Sequence, residues 1–161
     1  MLNNKLQPRQ ALKEFLKVKP KRKDIEKFKS NLIQLLNSMS ERESEEFNKN
    51  LISDFLKDTY YSRNYFINLK GNNDLVIHNG KDANTTVGVI LEFKKPTNTS
   101  EMLKVSHLNT KALQQLVFYF LRERFTEKNL EIKYLIATNI SEWFIFDAKV
   151  FEQEFAQNKR L

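Results

Sequence analysis

Asp74-Leu75-Val76-Ile77, then a polar run from His78 to Thr86 with Asn79-Gly80 and Asp82 in it, then Val87-Gly88-Val89-Ile90-Leu91-Glu92-Phe93-Lys94: this stretch reads as two β-strands folded back on each other. β-branched and aliphatic residues flank turn-forming ones, the pattern of an antiparallel hairpin. Pro96, which cannot donate a ladder hydrogen bond, ends the second strand. The turn is centred near Ala83, so the fold-back sets residue 74 opposite residue 92. Asp74 and Glu92 are then cross-strand neighbours, with Cβ atoms about 4.5–5.5 Å apart, where like charges repel unless a cation lies between them.

Alternation supplies a third group. Glu92 and Lys94 are two apart and share a face, while Leu91 and Phe93 point the other way into the core. The ammonium of Lys94 is expected to project toward the carboxylates, away from the core. An oxygen-rich set of this kind suits magnesium, which keeps several waters and shares its coordination with phosphate; manganese is expected to substitute. The metal can lower the pKa of a bound water and polarise a phosphoryl oxygen, and Lys94 can position that water or offset charge in the transition state. By spacing alone, a solvated strand edge carrying a weak ion pair is the alternative.

Outward from this hairpin, apolar periodicity predicts helices over Arg9–Val18, Asp24–Asn37 (Ile25, Phe28, Leu32, Leu35, Leu36) and Glu41–Asp58 (Phe47, Leu51, Phe55, Leu56). A short strand covers Tyr65–Leu69. After a loop through Ser100, a long helix runs from about His107 to Phe125, and strands follow at Lys133–Thr138 and Glu142–Phe146. Val150–Gln157 closes the chain as a helix. The expected fold is α/β: a mixed, mainly antiparallel sheet of four or five strands flanked by helices, with the metal site at one edge. One domain accounts for residues 1–161, with a helical part (1–58), a sheet and helix carrying the site (64–146) and a C-terminal helix (147–161).

The chain carries a formal charge of +7 and no cysteine. The charge favours a polyanionic partner; the missing thiols exclude disulfides, zinc–thiolate sites and a cysteine nucleophile. His78 and His107 are too few for a histidine-rich metal site. No run approaches the roughly 18 apolar residues of a membrane span, so a cytoplasmic protein with no membrane partner is expected. Basic residues cluster at Lys17-Val18-Lys19-Pro20-Lys21-Arg22-Lys23, either a solvated linker or a DNA-backbone contact.

Asn73-Asp74, Glu92-Phe93-Lys94 and Gln115-Leu116-Val117-Phe118-Tyr119 together resemble the signature of the PD-(D/E)XK nuclease superfamily, in its RecB-like branch with Q-x-x-x-Y. Asp74 matches the metal-binding aspartate, Glu92 the second acidic ligand and Lys94 the catalytic lysine. Gln115 and Tyr119 match the accessory pair, one helical turn apart on one face. Asn73 stands where the motif name has proline. Many members also place a metal-approaching acid on the helix before the sheet. Glu43, Glu45 and Glu46 are candidates, and a wheel anchored on Phe47, Leu51, Phe55 and Leu56 selects Glu45.

From Asn4-Lys5-Leu6-Gln7-Pro8-Arg9-Gln10-Ala11 to Ile140-Ser141-Glu142-Trp143-Phe144-Ile145-Phe146, the chain is similar to the N-terminal endonuclease domain of type IIG fused restriction–modification enzymes. That resemblance implies Mg2+-dependent hydrolysis of double-stranded DNA leaving a 5′-phosphate, as a site-specific deoxyribonuclease. It also implies methyltransferase and target-recognition domains on the same full-length polypeptide, and a dimer on DNA. Two other readings stay open: a nucleic-acid-binding module without catalysis, and a repair or structure-specific nuclease of the same superfamily.

Overall fold

A computed structural model describes residues 6–11, 19–70 and 74–158, except the side chains of Pro8 and Asp74. Helices α1 (Pro8–Ala11), α2 (Arg22–Ser38) and α3 (Glu45–Leu56) precede strands β1 (Ile67–Lys70), β2 (Asp74–His78) and β3 (Val87–Phe93). Helix α4 (Lys111–Leu121), strands β4 (Tyr134–Thr138) and β5 (Trp143–Asp147), and helix α5 (Ala148–Phe151) complete the chain. The five strands lie in sequence order, antiparallel except for the parallel pair β3–β4. A parallel pair needs a crossover, and α4 supplies it. This is the α/β class, with the mixed and mainly antiparallel sheet, expected from the sequence.

The hairpin keeps the predicted register. Leu75 pairs with Leu91 and Val76 with Ile90, so one further step along the ladder brings residue 74 opposite Glu92. A bulge between Ile77 and His78 absorbs one residue at the turn end. There His78 is buried, its Nδ1 donating to the Thr85 carbonyl at 2.6 Å and its Nε2 lying 3.0 Å from Asn68 Oδ1. Gly88 leaves room for the Asn79 side chain, which any Cβ at that position would strike. Asn79 then donates to Thr86 Oγ1 and to the Glu131 carbonyl, closing the far end of the hairpin.

Alternation along β2 and β3 feeds two cores, one on each side of the sheet. Leu75, Ile77, Leu91 and Phe93 pack with Ile52, Phe55, Leu56 and Leu35 beneath α2 and α3. Val76 and Ile90 pack with Leu116, Phe120 and Phe151 beneath α4 and α5. With both faces covered, β3 is the central strand, and the carboxylate at its end stands mid-sheet. The expected edge position of the site is corrected: parallel pairing with β4 covers the other side of β3.

Several boundaries differ from expectation. The predicted helix Arg9–Val18 is present at Pro8–Ala11, and residues 12–18 lie outside the described ones. Arg22 and Lys23 of the basic run belong to α2. Helix α4 starts at Lys111 instead of His107, because Lys104 and His107 bond to each other in a tight turn before it. Helices α3, α4 and α5 each widen into a π-helical turn, at Lys57–Tyr61, Arg122–Thr126 and Glu152–Ala156. None of the three glycines (Gly71, Gly80, Gly88) stands at these ends to supply the left-handed stop that glycine usually gives. Among the described residues no helix is long and apolar enough to cross a membrane.

On α3 the buried positions are Asn48, Lys49, Ile52, Ser53, Phe55 and Leu56, and Phe47 is 41% exposed. Phe47 was therefore a wrong anchor for the helical wheel. Replacing Ile52 with alanine should cost about 2–5 kcal/mol, the range for a fully buried aliphatic side chain, and Phe47→Ala should change stability by about 0.5 kcal/mol or less. Denaturant midpoints of the two variants check this; equal losses would contradict the packing of α3.

Candidate active site

The site is built where α3, β3 and α4 converge. Beyond the last residue of β3 the ladder runs one step further, with Lys94 N donating to the Thr138 carbonyl at 2.9 Å. Its backbone is thereby fixed, and the Lys94 side chain is 3% exposed. The expectation that it projects clear of the interior is corrected: helix α4 closes over it. Nζ lies 2.8 Å from Glu92 Oε1 and donates to Gln115 Oε1 at 2.6 Å. Two further carboxylates stand at 3.6 Å (Glu101) and 3.8 Å (Glu45).

Hydrogen-bond roles here are forced. An ammonium only donates, so Gln115 must turn its carbonyl oxygen to Lys94. Its Nε2 then faces Tyr119, whose hydroxyl accepts at 3.3 Å. Gln115 and Tyr119 share a face of α4 because they are four residues apart. The Arg122 guanidinium lies 5.3 Å from the centroid of the Tyr119 ring.

Glu45 reaches the site from the first turn of α3, where Ser44 caps the helix by accepting from Phe47 N. Its Oε2 accepts from Lys95 N at 3.2 Å. Glu43 and Glu46 are exposed. The wheel that selected Glu45 used Phe47 wrongly, yet the actual buried line of Asn48, Lys49, Ile52 and Phe55 also runs through position 45. Asp74 takes the register position opposite Glu92, and its side chain lies outside the described ones.

Sequence reasoning missed two groups. Glu101 bridges Lys94 and Lys111, the latter at 3.0 Å, from a loop with no periodicity to flag it. Lys49, 3% exposed, adds a positive charge that acts on Glu92. A wheel anchored on Ile52 instead of Phe47 would have shown that lysine inside the apolar line.

Charges of both signs meet here, since Lys49 acts on Glu92 and Lys111 holds Glu101 at 3.0 Å. Three carboxylates surround one ammonium within 3.8 Å. Burial holds the Glu92 carboxyl above its ordinary 4.5, outweighing the lowering by the bond to Lys94 and the charges of Lys94 and Lys49. Burial pulls Lys94 down, yet the bond to Glu92 and the charges of Glu92, Glu45 and Glu101 carry it above its ordinary value. Lys94 is thus a lasting cation, and Glu92 bears the cost of desolvation.

One atom stands out in this balance. Among the described residues, Glu92 Oε2 is buried with no hydrogen-bond partner. Two more buried side-chain oxygens without partners, Asn48 Oδ1 and Thr110 Oγ1, sit on α3 and at the start of α4. An orphaned carboxylate oxygen costs its full desolvation unless something electropositive binds it. Among the described residues no three ligating side chains form a ready-made metal cage. Carboxylate oxygens are the donors magnesium takes, and Glu92 Oε2 is such a donor left without a partner among the described residues, so the donor type fits that ion.

Glu92 holds its proton more tightly folded than unfolded. Its contribution to stability is therefore complete below the ordinary glutamate value of 4.5 and is lost as pH rises through its raised folded value. In EDTA, the parent should lose stability from about that pH toward neutrality relative to Glu92→Gln, which does not titrate. Denaturant midpoints across that range measure the difference; a gap between the two proteins that does not change with pH would contradict the raised value.

The model of one family, described as a domain of unknown function (DUF7149), matches residues 6–161. Neither a curated protein nor a solved structure matches the chain.

Proposed function

The chain belongs to the DUF7149 family of domains of unknown function, and we propose that it is a magnesium-dependent endonuclease domain that hydrolyses phosphodiester bonds of double-stranded DNA. The observation that carries this is the Glu92 carboxylate: one oxygen on Lys94, the other buried without a partner among the described residues, at the register position opposite residue 74. Asp74, Glu92 and Glu45 are the residues that would hold the ion. When bound, magnesium supplies a Lewis acid for the phosphoryl oxygen and a bound water of lowered pKa.

The chain's own groups do the rest. Lys94 stays protonated, so it acts as a fixed cation and donor toward the phosphate or the attacking water, not as a base. Glu92 Oε1 and Gln115 Oε1 hold that ammonium from two sides, and Tyr119 holds Gln115. A preorganised donor of this kind loses nothing to reorganisation during the reaction. The net charge of +7 favours the substrate's backbone without reading its bases. As the cleavage module of a type IIG restriction–modification enzyme, the domain would draw its specificity from methyltransferase and target-recognition domains on the same polypeptide, and would cut both strands as a dimer on DNA.

Lys94→Met should slow nicking of supercoiled DNA by about a hundredfold to a thousandfold, the usual loss for one transition-state donor. Because it leaves Glu92 without its partner, it should also melt earlier, so rates are compared below its melting transition. Lys95→Ala, whose backbone N–H to Glu45 is kept, should cut like the parent. A folded Lys94→Met that cuts at the parental rate in magnesium would overturn the proposal.

Calorimetric titration with Mn2+ gives an independent check. Asp74→Ala and Glu92→Gln should each weaken binding strongly, because either change leaves too few charged oxygens for the ion. Parental affinity in either variant would remove that residue from the ligand set.

A further inference from the structure

We infer that the Lys104–His107 turn, between β3 and α4, is a preformed prong that docks on the sugar–phosphate backbone of duplex DNA beside the reaction centre; this deepens the nuclease reading and rests on it. Lys104 N donates to the His107 carbonyl at 3.1 Å and His107 N to the Lys104 carbonyl at 2.9 Å, so reciprocal bonds close a two-residue turn over Val105-Ser106. Its base is anchored. Met102 and Leu103 are 2% and 0% exposed in the core under α4, and Ala112 N donates to the Glu101 carbonyl at 3.1 Å. From that anchor all four turn residues stand exposed, with Val105 at 61%. An aliphatic side chain held out on a closed turn, with two buried residues anchoring the chain just before that turn, presents a fixed surface to a partner.

Position and charge say which partner. Glu101, at the base of the prong, stands 3.6 Å from Lys94 Nζ and 3.0 Å from Lys111 Nζ, so the turn rises from the same cluster as the catalytic lysine. Between Lys95 and Lys111 the sequence has Glu101 as its single carboxylate, already engaged by two lysines, and Lys104 exposed where the turn closes. The surface left to a partner is cationic and aliphatic, which fits a phosphate beside a deoxyribose. Lys104 is three residues from Glu101, at most about 10 Å along the chain, so a duplex seated at that cluster reaches this turn. Lys104 meets the polyanion and Val105 packs on the apolar wall of the backbone.

The test uses the full-length protein and a labelled duplex, with affinity measured by fluorescence anisotropy in EDTA over a salt series and nicking measured separately in magnesium. Lys104→Gln should reduce the slope of log affinity against log salt by about 0.9, one phosphate contact. Val105→Ser should weaken binding several-fold with the slope unchanged. Lys81→Gln, exposed on the turn at the far end of the hairpin, is the control and should change neither. Parental affinity and slope in Lys104→Gln, or the same loss in Lys81→Gln, would overturn the docking role, whereas nicking that persists beside such a result leaves the nuclease reading standing. The expected prong effects in a protein that never nicks DNA would support the docking and overturn the nuclease.

Discussion

Everything at the candidate site depends on how one buried ammonium is held. Lys94 is gripped between Glu92 Oε1 at 2.8 Å and Gln115 Oε1 at 2.6 Å, at the end of a strand buried on both faces. A buried ion pair contributes little net stability, since removing two charges from water costs several kcal/mol per ion before attraction returns any of it. The raised proton affinity of Glu92 reflects that cost directly. What the pair provides is position, and three elements converge on it: α3 through Glu45, β3 through Glu92, and α4 through Gln115.

The surrounding fold explains how such a cluster persists. Two cores, one on each face of the sheet, lock β2 and β3, so Glu92 is delivered by strands that cannot slip without turning Leu91 and Phe93 out of their core. Helix α4 lies across the sheet because the parallel step from β3 to β4 requires a crossover, and that same crossover carries Gln115 and Tyr119 to Lys94. Topology and chemistry are one arrangement here. Glu101 and the anchored turn beside it come from the loop that begins the crossover, which places Glu101 next to the lysine.

Much of this was legible in residue order, for identifiable reasons. A polar turn centred on Ala83 between two apolar strands leaves few registers, so the opposition of residues 74 and 92 followed from symmetry, and the bulge at His78 fell at the turn end where it does no harm to it. Gln115 and Tyr119 were singled out by the Q-x-x-x-Y resemblance, and helical spacing put them on one face. What could not be read depends on tertiary packing. Phe47 is apolar yet exposed, and Lys49 is charged yet buried, because the face α3 presents is set by the sheet beneath it and not by its own composition. Glu101 sits in irregular chain, where no period exists to mark it. The burial of Lys94 was hidden for the same reason: alternation gives the face of a strand but not what covers that face.

The proposed place for a hard cation is Glu92 Oε2, unpartnered among the described residues. Its most direct test is a crystal of the protein soaked in Mn2+, with anomalous diffraction collected to locate the ion. The expected result is a single strong peak within coordination distance of Glu92 Oε2, on the side facing position 74, that disappears in crystals of Glu92→Gln. Manganese bound elsewhere, or a Glu92 carboxylate that meets only protein atoms and water at saturating metal, would contradict it.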